Sequence, residues 1–177
     1  AKLLGSKEAE ETFSAALLQD MAIPMLAKQA PKSYVALLQG REEGNVRLSD
    51  LEMRHFGWTH AEAGGLLARN WNLPEDFAVL IENHLDVERW ASQPQAEAGN
   101  LSVAMSGLLP AIGDPLWIEC SRFEGLYGKV SPAGSPSVAT VLEQTDTEYG
   151  DFAPVLKLAS PSRSLVEAYQ EATQAAS

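Results

Sequence analysis

The stretch His55–His84, HFGWTHAEAGGLLARNWNLPEDFAVLIENH, constrains the fold of this chain more than any other. Thr59 followed by Glu62 has the spacing of a capping box, in which the Thr hydroxyl accepts from the third helical N–H and the Glu reaches back, so a helix is predicted to start at His60. Asn72 and Pro74 stop that helix and begin another. On the first, His60, Gly64, Leu67 and Trp71 lie at i, i+4, i+7 and i+11, one stripe of a period near 3.6. On the second, Phe77, Leu80, Ile81, His84 and Leu85 form another stripe, with Glu75, Asp76, Glu82 and Asn83 mostly on the far side. Two imidazoles on two apolar stripes, joined by a tight Asn-Leu-Pro corner, are placed to meet in one interior pocket. Trp71, Leu73 and Pro74 are expected to fix the angle between the helices.

A chain of 177 residues with 45% hydrophobic content is long enough for one domain with a sizeable core. Asp and Glu number 24 against 13 Lys and Arg, a net charge of -11, so phosphate backbones and anionic membranes are repelled by the average field. Nucleic acid and membrane are therefore not expected as partners. Cys120 is the single cysteine, which excludes an internal disulfide and fits a buried, small apolar residue. No apolar run approaches the ~20 residues that span a bilayer, and the opening AKLLGSKEAEE has no signal-peptide core. The chain is expected to be soluble and cytoplasmic, and, beginning without Met, to be a fragment of something longer.

Upstream of the central stretch, residues 8–21 carry Phe13, Ala16, Leu17 and Asp20 on one helical stripe, with Glu8, Glu10 and Glu11 at the amino end where the dipole favours acids. A carboxylate on an apolar stripe has to be paired, hydrogen-bonded or bound to a cation, which marks Asp20. Short helices follow over Pro24–Ala30 and Pro31–Gln39, the latter with Tyr34, Leu37 and Leu38 inward and Gly40 as its stop. Ser49 and Glu52 have the spacing of a second capping box, Leu48 and Met53 that of a hydrophobic staple, and Gly57 ends that helix with His55 near its carboxyl end. Downstream, residues 86–100 read as a loop. Leu101, Ala104, Met105, Leu108 and Leu109 mark a helix closed by Gly113-Asp114-Pro115; Leu116–Tyr127 reads as helical; Val138, Val141, Leu142, Thr145 and Tyr149 mark one ending at Gly150; and Ser160-Pro161 starts the last. No strand-type alternation or internal repeat is visible, and the fold class is all-α, a multi-helix bundle.

These residues resemble a known family. Glu52, Phe56-Gly57, His60-Ala-Glu-Ala-Gly64, Leu67, Trp71-Asn-Leu73-Pro74, Ile81 and His84 look like the second half of an HDOD domain, the bacterial signalling relative of HD-type metal phosphohydrolases, and AALLQDM over 15–21 resembles the family's Leu-Leu-His-Asp-Ile-Gly element. The likeness covers roughly residues 10–112, leaving 113–177 as a helical extension within one HDOD-like domain over 1–177. The family's further amino-terminal helices have no counterpart here, so the face carrying Leu17, Asp20, His60 and His84 is expected to be covered by the chain's own tail, Ser137–Ala175, by a second copy of the chain or by a partner, the last two being favoured.

The departures decide the implied function. Catalytic relatives use an upstream His, a His-Asp pair and later His or Asp residues to hold metals that activate water. Here Gln19 replaces the His of the pair, the upstream His has no counterpart, and the HD-GYP enzymes' His-His-Glu reads His84-Leu85-Asp86. Asp20, His60 and His84 survive as a partial constellation that either satisfies itself by hydrogen bonds or holds one weakly bound divalent metal. The resemblance thus implies a non-catalytic regulatory module of bacterial signal transduction, with no cofactor, acting on a protein partner or a neighbouring signalling domain, a homodimer being one such arrangement. The alternatives are a degenerate metal-dependent phosphohydrolase of a nucleotide or cyclic dinucleotide, and a sensor of a small molecule or ion in the remnant pocket.

Overall fold

The computed structural model describes residues 9–44, 46–93, 98–111 and 114–175, and all of their regular structure is helical. The chain divides after Gly107 into two compact units, Ala1–Gly107 and Leu108–Ser177.

The first unit runs through α1 (Ala9–Leu18), α2 (Ala22–Gln29), α3 (Pro31–Gly44), α4 (Leu48–Phe56), α5 (His60–Asn70), α6 (Glu75–Glu82), α7 (Val87–Ser92) and α8 (Ala98–Ser106). Its centre is the α5–α6 pair. The Thr59–Glu62 capping box forms as predicted, Thr59 N–H donating to Glu62 Oε2 at 2.7 Å and Glu62 N–H to Thr59 Oγ1 at 3.4 Å. Two glycines then let the helices close: a Cβ on Gly64 would stand 2.8 Å from Ile81 Cγ2, and one on Gly65 2.6 Å from Glu82 Cβ. Ala68, Ala78 and Ile81 are fully buried in the resulting seam, with Leu18, Met21 and Leu73 against them. Arg69 locks its outer edge, forking onto Glu75 and reaching Glu82 at 2.7 Å.

The corner between α5 and α6 is made differently from the sequence expectation. Asn72 adopts the left-handed region at φ 57°, which Asn tolerates better than most side chains, and Leu73 N–H returns to Ala68 O at 3.0 Å. That backbone motif fixes the angle. Trp71 is 51% exposed and takes no part in the seam.

Four further expectations are corrected in this unit. α4 starts at Leu48 with Arg47 before it and no side-chain cap, so Ser49 and Glu52 form no capping box; Glu52 faces inward instead. Met53 is exposed while Leu48 is buried, which leaves no staple. The segment read as a loop over 86–100 contains α7, held by Trp90 Nε1–H donating to Asn83 O, and the start of α8. α3 also runs past Gly40 to Gly44.

The second unit contains α9 (Cys120–Val130), α10 (Val138–Leu156) and α11 (Leu165–Ala175). Trp117 sits at its core, its indole N–H donating to Leu108 O at 2.8 Å and its ring 5.5 Å from Phe123 and 6.2 Å from Tyr169. Cys120 is buried there as expected, and burial first, with Glu124 second, pushes its thiol pKa up, so it stays an unreactive thiol. α10 does not stop at Gly150. It continues through Pro154 and ends where Lys157 turns left-handed, because Pro154 removes only one N–H late in the helix. α11 begins at Leu165 and not at Ser160-Pro161: the Asp146 carboxylate accepts the N–H groups of Leu165 (2.9 Å) and Val166 (3.1 Å), and Ser164 and Glu167 cap reciprocally. Among the described residues no helix is long and apolar enough to cross a membrane. Gly113, the first residue of the predicted Gly113-Asp114-Pro115 stop, lies outside the described residues, as does Ile112.

Candidate functional site

Three elements of the first unit deliver the polar residues singled out in the sequence. Asp20 stands in the turn between α1 and α2, where Met21 N–H bonds Leu18 O and Ile23 N–H bonds Asp20 O. His60 is the first residue of α5, and His84 follows the end of α6. The closeness of α5 and α6 allowed by Gly64 and Gly65 brings the two rings to 5.3 Å between centroids. Asp20 Oδ1 lies 3.2 Å from His60 Nε2 and 3.6 Å from His84 Nε2, and one ligating atom from each residue falls within 4.8 Å of the others. All three predicted residues therefore meet.

Both imidazoles are oriented from behind. His84 Nδ1 lies 2.7 Å from Ile81 O, and since a carbonyl only accepts, Nδ1 carries the proton. Burial lowers the His84 pKa, the Ile81 and Asp20 contributions opposing it, so the ring is neutral and its Nε2 lone pair faces Asp20. His60 Nδ1–H donates to Glu52 Oε2 at 2.6 Å, and the His60 backbone N–H donates to the same oxygen at 2.9 Å. Burial disfavours a charge on His60, yet hydrogen bonds to Asp20 and Glu52 outweigh it and raise its pKa to about 9. At neutral pH His60 is thus an imidazolium that donates to a carboxylate on each side.

Glu52 is the residue that the sequence reading misplaced. It is 0% exposed, and its other oxygen accepts from the Tyr34 hydroxyl of α3. Burial, followed by the Glu52 contact, pushes the Tyr34 pKa up, which keeps the phenol a donor. One continuous chain of hydrogen bonds, Tyr34 to Glu52 to His60 to Asp20, ties α3, α4, α5 and the α1–α2 turn together.

Asp20 is the open end of this chain. Its side chain is 54% exposed, and although the crowding around it opposes ionisation, the His60 hydrogen bond, with the positive charge that the imidazoles carry at the acid pH where Asp20 titrates, holds its carboxyl below the ordinary value. Gln19 adds a smaller hydrogen-bond contribution in the same direction, while its Oε1 lies 3.3 Å from Ser106 Oγ on α8. The amide is held between Asp20 and Ser106. His55, expected at the carboxyl end of α4, is exposed and packs edge-on against Phe56 at 4.6 Å, apart from the cluster.

Once His60 gives up its Nε2 proton, the donor set suits one divalent cation: two imidazole nitrogens and a carboxylate oxygen, with the Nδ1 atoms anchored by a carboxylate and a carbonyl as ligating histidines commonly are. Among the described residues this is the one such group.

An all-helical domain whose interior joins His60, His84 and Asp20 across a tight helical pair is of the HD-like class. The model of the HDOD domain family matches residues 1–87, a shorter stretch than the 10–112 over which the motifs were read, and this part of the chain belongs to the HDOD family. An HDOD domain is a signalling-related, HD-like module. Nothing among curated proteins or solved structures matches the chain.

Proposed function

We propose that the chain is a regulatory module of bacterial cytoplasmic signal transduction that works through contact with another protein or a neighbouring domain and does not turn over a phosphoester. The observation that carries this reading is the position before Asp20. Gln19 supplies an amide engaged with Ser106 and Asp20, where hydrolytic relatives require an imidazole on the metal. The two ring N–H groups of the His60 imidazolium donate to Glu52 and to Asp20, so both carboxylates have a partner without a metal. The test is hydrolysis of bis(p-nitrophenyl) phosphate and of a cyclic dinucleotide with Mg, Mn, Fe or Ni supplied. The expected result is no turnover above buffer; turnover that vanishes in Asp20→Ala would establish the enzyme instead.

A second reading has one specific observation behind it. The neutral His84 Nε2 and Asp20 Oδ1 face each other at 3.6 Å with only lone pairs between them, a mutual repulsion that a cation would relieve. Asp20, His60 and His84 would hold a single divalent ion, which when bound would supply Lewis acidity or a fixed positive charge. Equilibrium dialysis with Mn or Zn followed by elemental analysis tests this. Retention near one ion per chain, lost in His84→Ala, supports an ion-sensing role, and retention unaffected by that change removes it.

A further inference from the structure

α10 presents two faces of opposite character. Val138, Leu142 and Ala153 are buried on its inner side. Its outer side carries Glu148, Asp151, Phe152 and Val155 at i, i+3, i+4 and i+7, one stripe that opens acidic and ends apolar, and all four are exposed. Leu156 and Leu158 extend the apolar end, Val155 being the most open of the group at 76% exposed. The helix end they occupy is well built. Leu158 N–H returns to Ala153 O at 2.9 Å, and the Tyr149 hydroxyl donates to Ala159 O at 2.6 Å. An exposed apolar patch on a hydrogen-bonded helix end, bordered by acids, is the form of an interaction site.

We infer that the carboxyl-terminal outer face of α10 docks a basic, amphipathic helical segment of another protein. Charge selects this occupant. From Val138 to Ser162 the chain carries Glu143, Asp146, Glu148 and Asp151 against Lys157 as the one basic residue, and Asp146 is engaged in capping α11. A partner with Lys or Arg beside its apolar stripe meets Glu148 and Asp151 with opposite charge while its leucine-type residues cover Val155, Leu156 and Leu158. A second copy would bring the same excess of acids, Glu148 and Asp151 against Lys157, to a chain of net charge -11, and so offers no basic complement. An anionic membrane surface meets the same repulsion. The inference rests on reading the chain as a module that works through protein contacts, and it supplies the chemistry of one such partner. α10 lies outside the residues matched by the HDOD family model, so its fate is separable from that of the Asp20 cluster.

The experiment uses the full chain and a fluorescein-labelled helical peptide of Lys and Leu with leucines at i, i+3, i+4 and i+7. A peptide of the same composition but scrambled, and a Glu/Leu analogue, serve as controls. Anisotropy is expected to show binding of the amphipathic basic peptide alone, with amide shift changes in NMR confined to residues near 148–158. Val155→Ser with Leu158→Ser should weaken binding at least tenfold, and since both side chains are exposed the fold should persist by circular dichroism. Glu148→Gln with Asp151→Asn should weaken it about threefold and flatten its salt dependence. Equal binding of the scrambled peptide, or shift changes elsewhere on the chain, overturns the inference. So does sedimentation in which the wild type self-associates through this patch and the Val155→Ser variant does not. None of these outcomes alters the hydrolysis and dialysis tests of the Asp20 cluster, so failure here and failure there are told apart.

Discussion

The two units fill their interiors by different rules. In the first, Glu52, His60 and His84 are buried among helices, and the Tyr34 hydroxyl joins them, so the core carries ionisable groups that must be matched to one another. In the second, the buried side chains among the described residues are apolar, from Leu108 and Trp117 to Leu142 and Ala168, and its charges act at the surface as caps and clasps, Asp146 on α11 and Arg163 on Asp114 O. Burying charge costs several kcal/mol per ion unless each has a partner. A core that accepts this cost carries a constrained chemical arrangement, whereas a core of rings and aliphatic groups carries only packing. The same difference ties the packing of the first unit's core to pH through His60 and His84, while the core of the second carries no imidazole.

The largest expected effect breaks the network at its hidden end. Glu52→Ala leaves the His60 imidazolium and the Tyr34 hydroxyl buried without their acceptor and should cost ~3–5 kcal/mol. Trp117→Ala in the second unit should cost a similar ~3–5 kcal/mol through lost packing. Denaturant titrations at two pH values separate them: the Glu52 loss should shrink as pH rises past the His60 pKa, and the Trp117 loss should not move. A Glu52 loss under about 1 kcal/mol would remove the network from the list of what holds α3, α4 and α5 together.

Next in size is the pH dependence itself. The folded His60 pKa of about 9 lies above its ordinary 6.5, so its stabilisation is complete below 6.5 and is lost as pH climbs through 9. That loss is on the order of 2–3 kcal/mol by linkage. His84 works in the opposite sense. Its pKa is lowered, so its contribution is present above 6.5 and is lost as pH falls through the folded value. Asp20, also lowered, loses its contribution on stronger acidification, below its ordinary 3.8. Stability measured by urea denaturation should therefore peak near neutrality and fall toward pH 9, with the alkaline decline absent in His60→Gln. A flat profile between pH 6.5 and 9 in the wild type would place the His60 proton elsewhere.

A smaller effect sharpens the geometric side of the comparison. Gly65→Ala puts a methyl 2.6 Å from Glu82 Cβ, a position close to the helix backbone that cannot swing away, and α6 must shift. Overpacking of this kind costs about 1–3 kcal/mol. Gly125 in α9 has open space at the same test, so Gly125→Ala should be neutral or slightly stabilising. Thermal melts of the two variants side by side read the difference.

Much of this arrangement was legible in the residues. The capping box at Thr59 and the stripes through His60 and His84 set two imidazoles face to face, and a carboxylate on an apolar stripe pointed to Asp20. The same criterion applies to Glu52, which sits four residues after Leu48 and four before Phe56 on the inner side of α4, but the Ser49–Glu52 spacing offered a competing local explanation. Spacing alone cannot tell a Glu that caps its own helix from one that points inward, because the decision depends on Tyr34 and His60, distant in sequence. The late start of α11 was in reach: Ser164 and Glu167 have capping-box spacing, and the Ser160-Pro161 pair drew the boundary too early. The extension of α10 past Gly150 was not, since a lone glycine and Pro154 both argue locally for a stop.

Trp71 gives the smallest predicted effect and the clearest lesson on periodicity. Eleven residues after His60 it falls on the same nominal stripe, and a large ring beside an Asn-Leu-Pro corner reads as a wedge between helices. At the helix end, however, Asn72 turns left-handed and Leu73 swings back to bond Ala68 O, so the chain direction changes before the stripe can be continued. Leu73 takes the inner position and Trp71 is left half open to solvent. Trp71→Ala should then cost less than about 1 kcal/mol, in the range of ordinary surface changes and well under the ~3–5 kcal/mol of a buried indole. Leu73→Ala, which removes a side chain packed on Ala68, Ala78 and Ile81, should cost more than the tryptophan does. Chemical denaturation of both variants decides the matter, and the reverse order would mean that the indole, not the backbone motif at Asn72, holds α5 against α6.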